Sequence, residues 1–373
     1  TPSNSSAASD VYKRQVLQMR IEKIQQLLQE SGKDAIIFKN RENKKYFGSL
    51  GGSGIYLVVT PSSQVQFFDG RYRQEIKDLT NGFENFEVPQ GSYLPKIFEW
   101  LQQQGIKQLA IEPNGLSIQE YRAISEEFAV EIWSHQLQEI RAIKSAEEIQ
   151  LIRNACALTD EIFTELVPEI KIGMPENELG ALIHYLSLKK GASAMAFEPI
   201  VASGPRSALP HGRPTERAFE QGDFITIDFG IVLNGYQSDM TRTVMLGEAD
   251  NELQTIYQVV KEAQQAASDF IREGVTGQEV DAVARKIITE AGYGDYFSHG
   301  LGHGIGMGGD VPILNPKSQM VLKENMVMSV EPGIYLPGVG GVRIEDDVVI
   351  QNGIGVALNH TTKELVSVGE CYV

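Results

Sequence analysis

The stretch GDFITIDFGIVLNGYQSDMTRTV, residues 222–244, decides the fold of the C-terminal half. At its centre Asn234-Gly235 stands between two β-rich runs, the pattern of a hairpin closed by a two-residue primed turn. Such a turn pairs residue 233 with 236, so partner numbers sum to 469 and Asp228 faces Thr241. Asp239 then lies one diagonal step away on the same face, where backbones are roughly 7–8 Å apart. Carboxylates reaching inward from there can span two metal ions about 3.5–4 Å apart. The shared face reads Thr226, Asp228, Gln237, Asp239 and Thr241, with Ile225, Ile227, Phe229, Met240 and Val244 opposite. A polar face of this kind either meets solvent or surrounds something charged, and the hairpin alone leaves both open.

Two later stretches add donors of matching chemistry. SHGLGHGIGMGGD, residues 298–310, carries His299 and His303 among glycines too dense for one helix face. Twelve of the 36 glycines lie within residues 292–341, a density that lets backbone approach a ligand closely. SVEPGIYLPGVGGVRIEDD, residues 329–347, places Glu331 and Glu345 inside apolar runs, where a charge is costly unless paired or metal-bound. Asp346 and Asp347 fit an outward-facing edge strand better. Asp228, Asp239, Glu331, Glu345 and one imidazole form a hard to borderline donor set without thiolate. It suits two divalent ions, with manganese, cobalt, iron and zinc as candidates.

An internal repeat ties these pieces together. Residues 170–191 align without gaps on 271–292, an offset of 101, each copy reading as loop, amphipathic helix and closing glycine. FITID at 224–228 answers VMSVE at 327–331, and GYQSD at 235–239 answers GVRIE at 341–345. Two halves about a pseudo-twofold axis, each lending acids to one centre, is the expected architecture. Upstream, Ser145-Ala-Glu-Glu148 is a capping box, and Ile152, Ala155, Leu158, Ile162 and Leu166 follow at helical spacing until Pro168. The domain boundary is expected just before this helix. Residues 20–30, Ala35–Phe38, Ile55–Thr60, Val65–Asp69, 94–104 and Gln108–Ile111 alternate helix and strand, forming an α/β unit. Residues 1–18 are polar and lack Met, and are read as a disordered leader with Met19 the expected native start.

Composition excludes other classes. The 373 residues carry 33 Lys+Arg against 49 Asp+Glu, a formal net charge of −16 that argues against a nucleic-acid partner. No apolar run approaches the roughly 18 residues of a membrane helix, so no membrane partner is expected. Cys156 and Cys371 are too few for a disulfide framework, which fits a cytoplasmic protein.

With these residues assembled, the chain resembles the pita-bread metallopeptidases, in the branch of the Xaa-Pro aminopeptidases and Xaa-Pro dipeptidases (prolidases). The motifs are ITIDFG, GYQSDMTRTV, HGLGHGIG, SVEPGIY and GVRIEDD, in order, with HGRPT at 211–215 similar to a substrate-side motif. NRENKKYFGSLGGSG and FDGRYR resemble the creatinase/prolidase-type N-terminal domain. The resemblance implies an α+β protein: a leader at 1–18, a creatinase/prolidase-type α/β domain at 19–141 and a pseudo-twofold pita-bread domain at 142–373. It implies Asp228 as ligand of one metal, Asp239 and Glu345 as bridges, and His303 with Glu331 on the other. Glu331 would also move a proton, His211 and His299 would contact substrate, and Arg343 would support the acids. The implied reaction is hydrolysis of the N-terminal Xaa-Pro bond of short proline-containing peptides, with two divalent ions, manganese foremost, in a homodimer. His135, His184 and His360 fall outside every motif.

One departure stands out. Where the family has a second His in a His-Glu-x-Pro segment after the metal His, this chain reads GMGGDVP, one residue shorter, with Gly309-Asp310 in that place. The missing imidazole would stabilise charge on the scissile carbonyl, so a weakly active or inactive peptide-binding homologue is a competing reading. Methionine-aminopeptidase-like cleavage is another, disfavoured by the extra N-terminal domain. Metal-free, creatinase-like hydrolysis is disfavoured by the intact ligand set.

Overall fold

The computed structural model describes residues 4–79, 82–248 and 250–369, with residues 4–15 and Asp310 as backbone alone. The chain divides into two compact units, Thr1–Ile140 and Arg141–Val373. Among the described residues no helix is long and apolar enough to cross a membrane.

The first unit follows the alternation read from the sequence. Its elements are α1 (Asn4–Glu30), β1 (Ala35–Phe38), α2 (Arg41–Tyr46), β2 (Ile55–Val59), β3 (Gln64–Phe68) and α3 (Arg73–Asp78). Then come β4 (Glu84–Glu87), α4 (Tyr93–Gln103), β5 (Gln108–Ile111), α5 (Ile118–Glu127), β6 (Ala129–Ile132) and α6 (His135–Ala142). The six strands form one sheet in the order β4-β3-β2-β1-β5-β6, with β2 antiparallel to both its neighbours and the other pairs parallel. Helix α4 buries Ile97, Trp100 and Leu101, an i, i+3, i+4 stripe, against Tyr56, Phe67 and Leu109 of the sheet. Helix α1 starts at Asn4, earlier than the helix read at 20–30. The reason is periodicity, since Leu17 continues the spacing of Ile21, Ile24 and Leu28, all three buried, and packs against Gly48.

The second unit opens with α7 (Ala146–Leu166), started by the Ser145/Glu148 capping box, and α8 (Glu176–Lys189). Next are β7 (Ala194–Met195), β8 (Ile200–Ser203), β9 (Phe224–Phe229), β10 (Ile231–Leu233), β11 (Tyr236–Gln237) and β12 (Met240–Leu246). The second half runs α9 (Asn251–Phe270), α10 (Gly277–Glu290), β13 (Gly302–Gly304), β14 (Asp310–Leu314) and β15 (Val327–Val330). It closes with β16 (Gly333–Leu336), β17 (Gly340–Arg343), β18 (Asp346–Gln351), β19 (Ile354–Ala357) and β20 (Ser367–Val368).

The repeat is visible in three dimensions. Helix α10 begins and ends 101 residues after α8, the offset of the sequence alignment. One sheet runs β20-β12-β9-β8 and the other β14-β13-β15-β18-β19, so β12-β9-β8 answers β18-β15-β13 strand for strand. The first half packs its core from Ile162, Leu179, Ile183, Ile225, Ile227 and Met240. The second packs its own from Ile256, Val260, Val280, Ala284, Met328 and Val348.

The hairpin has the expected register, with Leu233 opposite Tyr236 and Asp228 opposite Thr241. Its turn residues Asn234 and Gly235 both have positive φ, 52° and 87°. A Cβ on Gly235 would also stand 3.3 Å from the Met307 methyl. Gly235→Val is therefore expected to cost about 1–2 kcal/mol from the left-handed backbone alone, read as a lower urea midpoint at unchanged slope.

Candidate metal centre

The polar face of the hairpin looks inward. Thr226, Asp228, Asp239 and Thr241 are all buried, so the solvent explanation of that face is excluded. Asp228 sits on β9 and Asp239 immediately precedes β12. His303 is the middle residue of β13. Glu331 follows β15 and Glu345 precedes β18, side by side just past the end of a ladder whose last pair is Val330–Asp346. The Glu345 amide donates to the Thr241 carbonyl at 3.1 Å, joining the two halves at the site.

Ligand atoms of Asp239, His303 and Glu345 all lie within 4.8 Å of one another. His303 Nε2 is 3.5 Å from Asp239 Oδ2 and 3.6 Å from Glu331 Oε1. Asp228 lies outside that tight group, with its Oδ2 bound by Arg343 Nη2 at 2.5 Å. Asp228 Oδ1, Asp239 Oδ1 and Glu345 Oε1 are buried and accept no hydrogen bond. Leaving a buried carboxylate oxygen unpaired is expensive, and three in one place fit a cation as the missing partner. The donors, oxygens and one imidazole, match a divalent ion.

Electrostatics point the same way. Burial raises the carboxyls of Asp239 and Glu345 well above the usual range, and neighbouring acids push them further. Burial raises Glu331 too. Each group holds its proton more tightly in this site than in the unfolded chain, where carboxyls titrate near pH 4.

A cavity of about 650 Å³ opens over the acids, lined by His211, Arg213, Phe197, Ile313 and both His299 and His303. His211 lies in an exposed loop. His299 lines the same cavity. Its Nδ1 bonds the Gly300 carbonyl and its Nε2 the Tyr335 hydroxyl, both at 2.8 Å. A carbonyl only accepts, so Nδ1 carries the proton and Nε2 accepts from Tyr335. Burial holds His299 down at about 4, neutral at physiological pH. Both ring nitrogens are thus bonded within the chain.

Arg343 is the hub of a buried bonding network. Beyond Asp228 it donates to the Tyr335 hydroxyl at 2.9 Å, Thr241 Oγ1 at 3.2 Å and the Pro210 carbonyl at 3.1 Å. Tyr335 was invisible as a site residue in the sequence, although it ends the quoted SVEPGIY motif.

Asp346 and Asp347, expected to point outward from an edge strand, are 2 % and 0 % exposed. Strand β18 lies between β15 and β19, not at an edge, and both acids have partners. Arg242 and Lys363 bind Asp346 at 2.6 and 3.2 Å. Asp347 Oδ2 accepts the Asp239 amide at 2.9 Å and the Cys156 thiol at 3.3 Å, so it fixes the backbone of a candidate ligand. The second-His position is empty of side chain: Gly309 has open space where a Cβ would stand.

Two internally related half-domains, with acids from both converging under a cavity, define a metal-dependent peptidase fold. The family model for metallopeptidase family M24 matches residues 150–352, and the creatinase/prolidase N-terminal domain matches residues 20–143. The chain belongs to metallopeptidase family M24. An uncharacterized peptidase of Bacillus subtilis is 37% identical over 353 residues, covering 93% of this chain and 99% of that protein. An Xaa-Pro dipeptidase structure from Bacillus anthracis superposes with a TM-score of 0.90 at 35% identity, covering 94% of this chain and 100% of that one. An X-Pro aminopeptidase structure from Thermotoga maritima has a TM-score of 0.87 at 36% identity, covering 93% and 99%.

The buried acids make a prediction about the protein without metal. Between pH 4 and their raised values the folded state binds more protons than the unfolded one, so stability falls as pH rises. Asp347, pushed up to about 8, contributes in the same direction. In chelator, the urea midpoint is expected to drop steadily from pH 5 to pH 8. Saturating manganese should raise it and flatten the slope, because the ions bind the folded carboxylates. A flat profile in chelator would show that these groups are not held protonated.

Proposed function

We propose that the chain hydrolyses the bond between the first residue and a second-position proline of short peptides, using two divalent ions. The observation that carries this is the set of unpaired buried carboxylate oxygens on Asp228, Asp239 and Glu345, the last two grouped with His303, on the lining of the cavity. Asp228 would hold one ion, His303 and Glu331 the other, and Asp239 with Glu345 would bridge. Bound there, the ions would supply hydroxide near neutral pH.

The remaining steps belong to the chain. Glu331 has a carboxyl raised by burial and one oxygen bonded by Ser329 Oγ at 3.3 Å, so it can take a proton and release it to the leaving imino nitrogen. Arg343 keeps Asp228 oriented. His211 presents its ring to the substrate from the cavity rim, while His299, Phe197 and Ile313 shape the wall. Arg213 is an exposed cation on a lining that also holds five acids and the buried Arg343, placed to meet a substrate carboxylate. The creatinase/prolidase N-terminal domain disfavours the methionine-aminopeptidase reading, and retention of all five ligands disfavours an inactive binding module. The same reading takes manganese as the resident ion, a homodimer as the assembly and the cytoplasm as the compartment; the oxygen-rich donor set supports the first of these.

One assay panel tests the reaction: Xaa-Pro, Xaa-Pro-Xaa and Met-initiated peptides, each with manganese, cobalt and zinc. Cleavage of the prolyl peptides is expected, and cleavage of Met-initiated peptides alone would overturn the assignment. Glu331→Gln is expected to lower kcat by about 10²–10⁴-fold while metal is still bound. Full activity in a metal-loaded Glu331→Gln protein would remove Glu331 from proton transfer.

A further inference from the structure

Each half of the second unit buries a carboxylate that is not among the candidate metal ligands. Glu176, in the first turn of α8, is 0 % exposed, and Asp281, one turn into α10, is 1 % exposed. Neither belongs to the acid cluster, and neither was singled out by any motif.

Their bonding is parallel. Glu176 accepts Ser203 N and Ser203 Oγ, both at 2.8 Å, from the end of β8, the neighbour of β9. It also accepts Thr215 N at 3.0 Å and Thr215 Oγ1 at 2.7 Å, and pairs with Arg206. Arg206 spends its other nitrogen on the Arg213 carbonyl at 2.9 Å. Residues 206 and 213, joined by that bond, bracket His211, and Thr215 follows in the same loop. Asp281 accepts Leu301 N at 3.1 Å, at the entry to β13, the neighbour of β15. It holds Arg285 through two bonds of 2.8 and 2.9 Å. Arg285 in turn donates to the Phe297 and His299 carbonyls at 3.0 and 2.8 Å. The Leu301 carbonyl takes the Glu331 amide at 2.8 Å.

The two acids are not the same repeat position. Under the offset of 101, Glu176 aligns with Gly277 and Asp281 with Gly180. Positions four apart share one helix face, so each half places its acid one turn from the other's. Each vacated position is a glycine against which another segment of the chain closes. A Cβ on Gly180 would stand 3.0 Å from Pro214 Cγ, and one on Gly277 would stand 2.2 Å from the Ile313 carbonyl. Inheritance of a repeat would keep one position. What is shared is the arrangement: acid, arginine, carbonyls of the histidine loop.

We propose that Glu176 and Asp281 are a matched pair of positioning residues, each acting through an arginine to fix the loop that carries one cavity histidine, His211 for Glu176 and His299 for Asp281. The pair acts independently in the two halves. This rests on the cavity being the substrate site, and the test separates the two questions.

The chain has six histidines, few enough for ring resonances to be resolved in the zinc-loaded full-length protein labelled at histidine Cε1. Assignment follows from His211→Ala and His299→Ala. Glu176→Gln is expected to move the His211 resonance and leave that of His299, and Asp281→Asn the reverse. In kcat/KM, Glu176→Gln alone is expected to cost about tenfold, as misplaced substrate-facing groups do. It should cost nothing further in a His211→Ala background and the full factor in a His299→Ala background, the signature of coupling within one half. Should an acid variant not fold, Arg206→Lys or Arg285→Lys keeps the charge, loses the planar fork, and carries the same expectation. Resonances that move together in every variant, or losses that multiply on every background, would overturn the proposal. Wild-type protein that leaves prolyl peptides uncut would count against the proposed reaction, while the resonances still decide this pairing.

Discussion

Asp228, Asp239, Glu331 and Glu345 are drawn to one spot by strands from both half-domains, and their mutual repulsion in a buried site is what the surrounding structure has to withstand. Like charges at this range cannot all stay ionised without compensation. Some comes from Arg343 on Asp228 and Thr241 on Glu345. Some comes from beneath, where buried Arg242 spends donors on the Thr241, Thr361 and Thr362 carbonyls and on Asp346. These contacts tie β12, β18 and the C-terminal segment into one floor. The oxygens still unpaired set the demand for cations.

That demand explains why the fold is doubled. A single β-hairpin offers two acids on one face, and here each of two related strand pairs offers two. Bringing the pairs together creates a centre with ligands on opposite sides. The Glu345 amide on the Thr241 carbonyl marks the seam. The histidine-bearing loops lie on the cavity side, each tied back to its own half.

Much of this was legible in the chain itself. Asn234-Gly235 permits few turns, so it specified the hairpin register down to Asp228 opposite Thr241. The repeat located α8 and α10 because helix length and closing glycine are local properties. The Ser145 capping box set the start of α7 for the same reason. What stayed hidden were contacts made across long stretches of sequence. Tyr335 matters only because His299 and Arg343 arrive at its hydroxyl, and Asp347 only because the Asp239 amide does. The apparent edge strand at Asp346 and Asp347 became an inner one once β19 paired outside it. Local pattern does not report sheet order. The helical spacing of Leu17, Ile21, Ile24 and Leu28 was present in the sequence, but the polar residues before it masked the start of α1.

Cys156 lies on α7, 0 % exposed, with its thiol on the carboxylate that holds the Asp239 backbone. Burial and then the Asp347 charge raise that thiol, leaving almost none of the thiolate that alkylating reagents attack. Its reaction therefore waits on local opening of the layer directly under the ligands. Covalent labelling at Cys156 becomes a clock for breathing of the metal-site floor, timed against the closed protein rather than against any catalytic event.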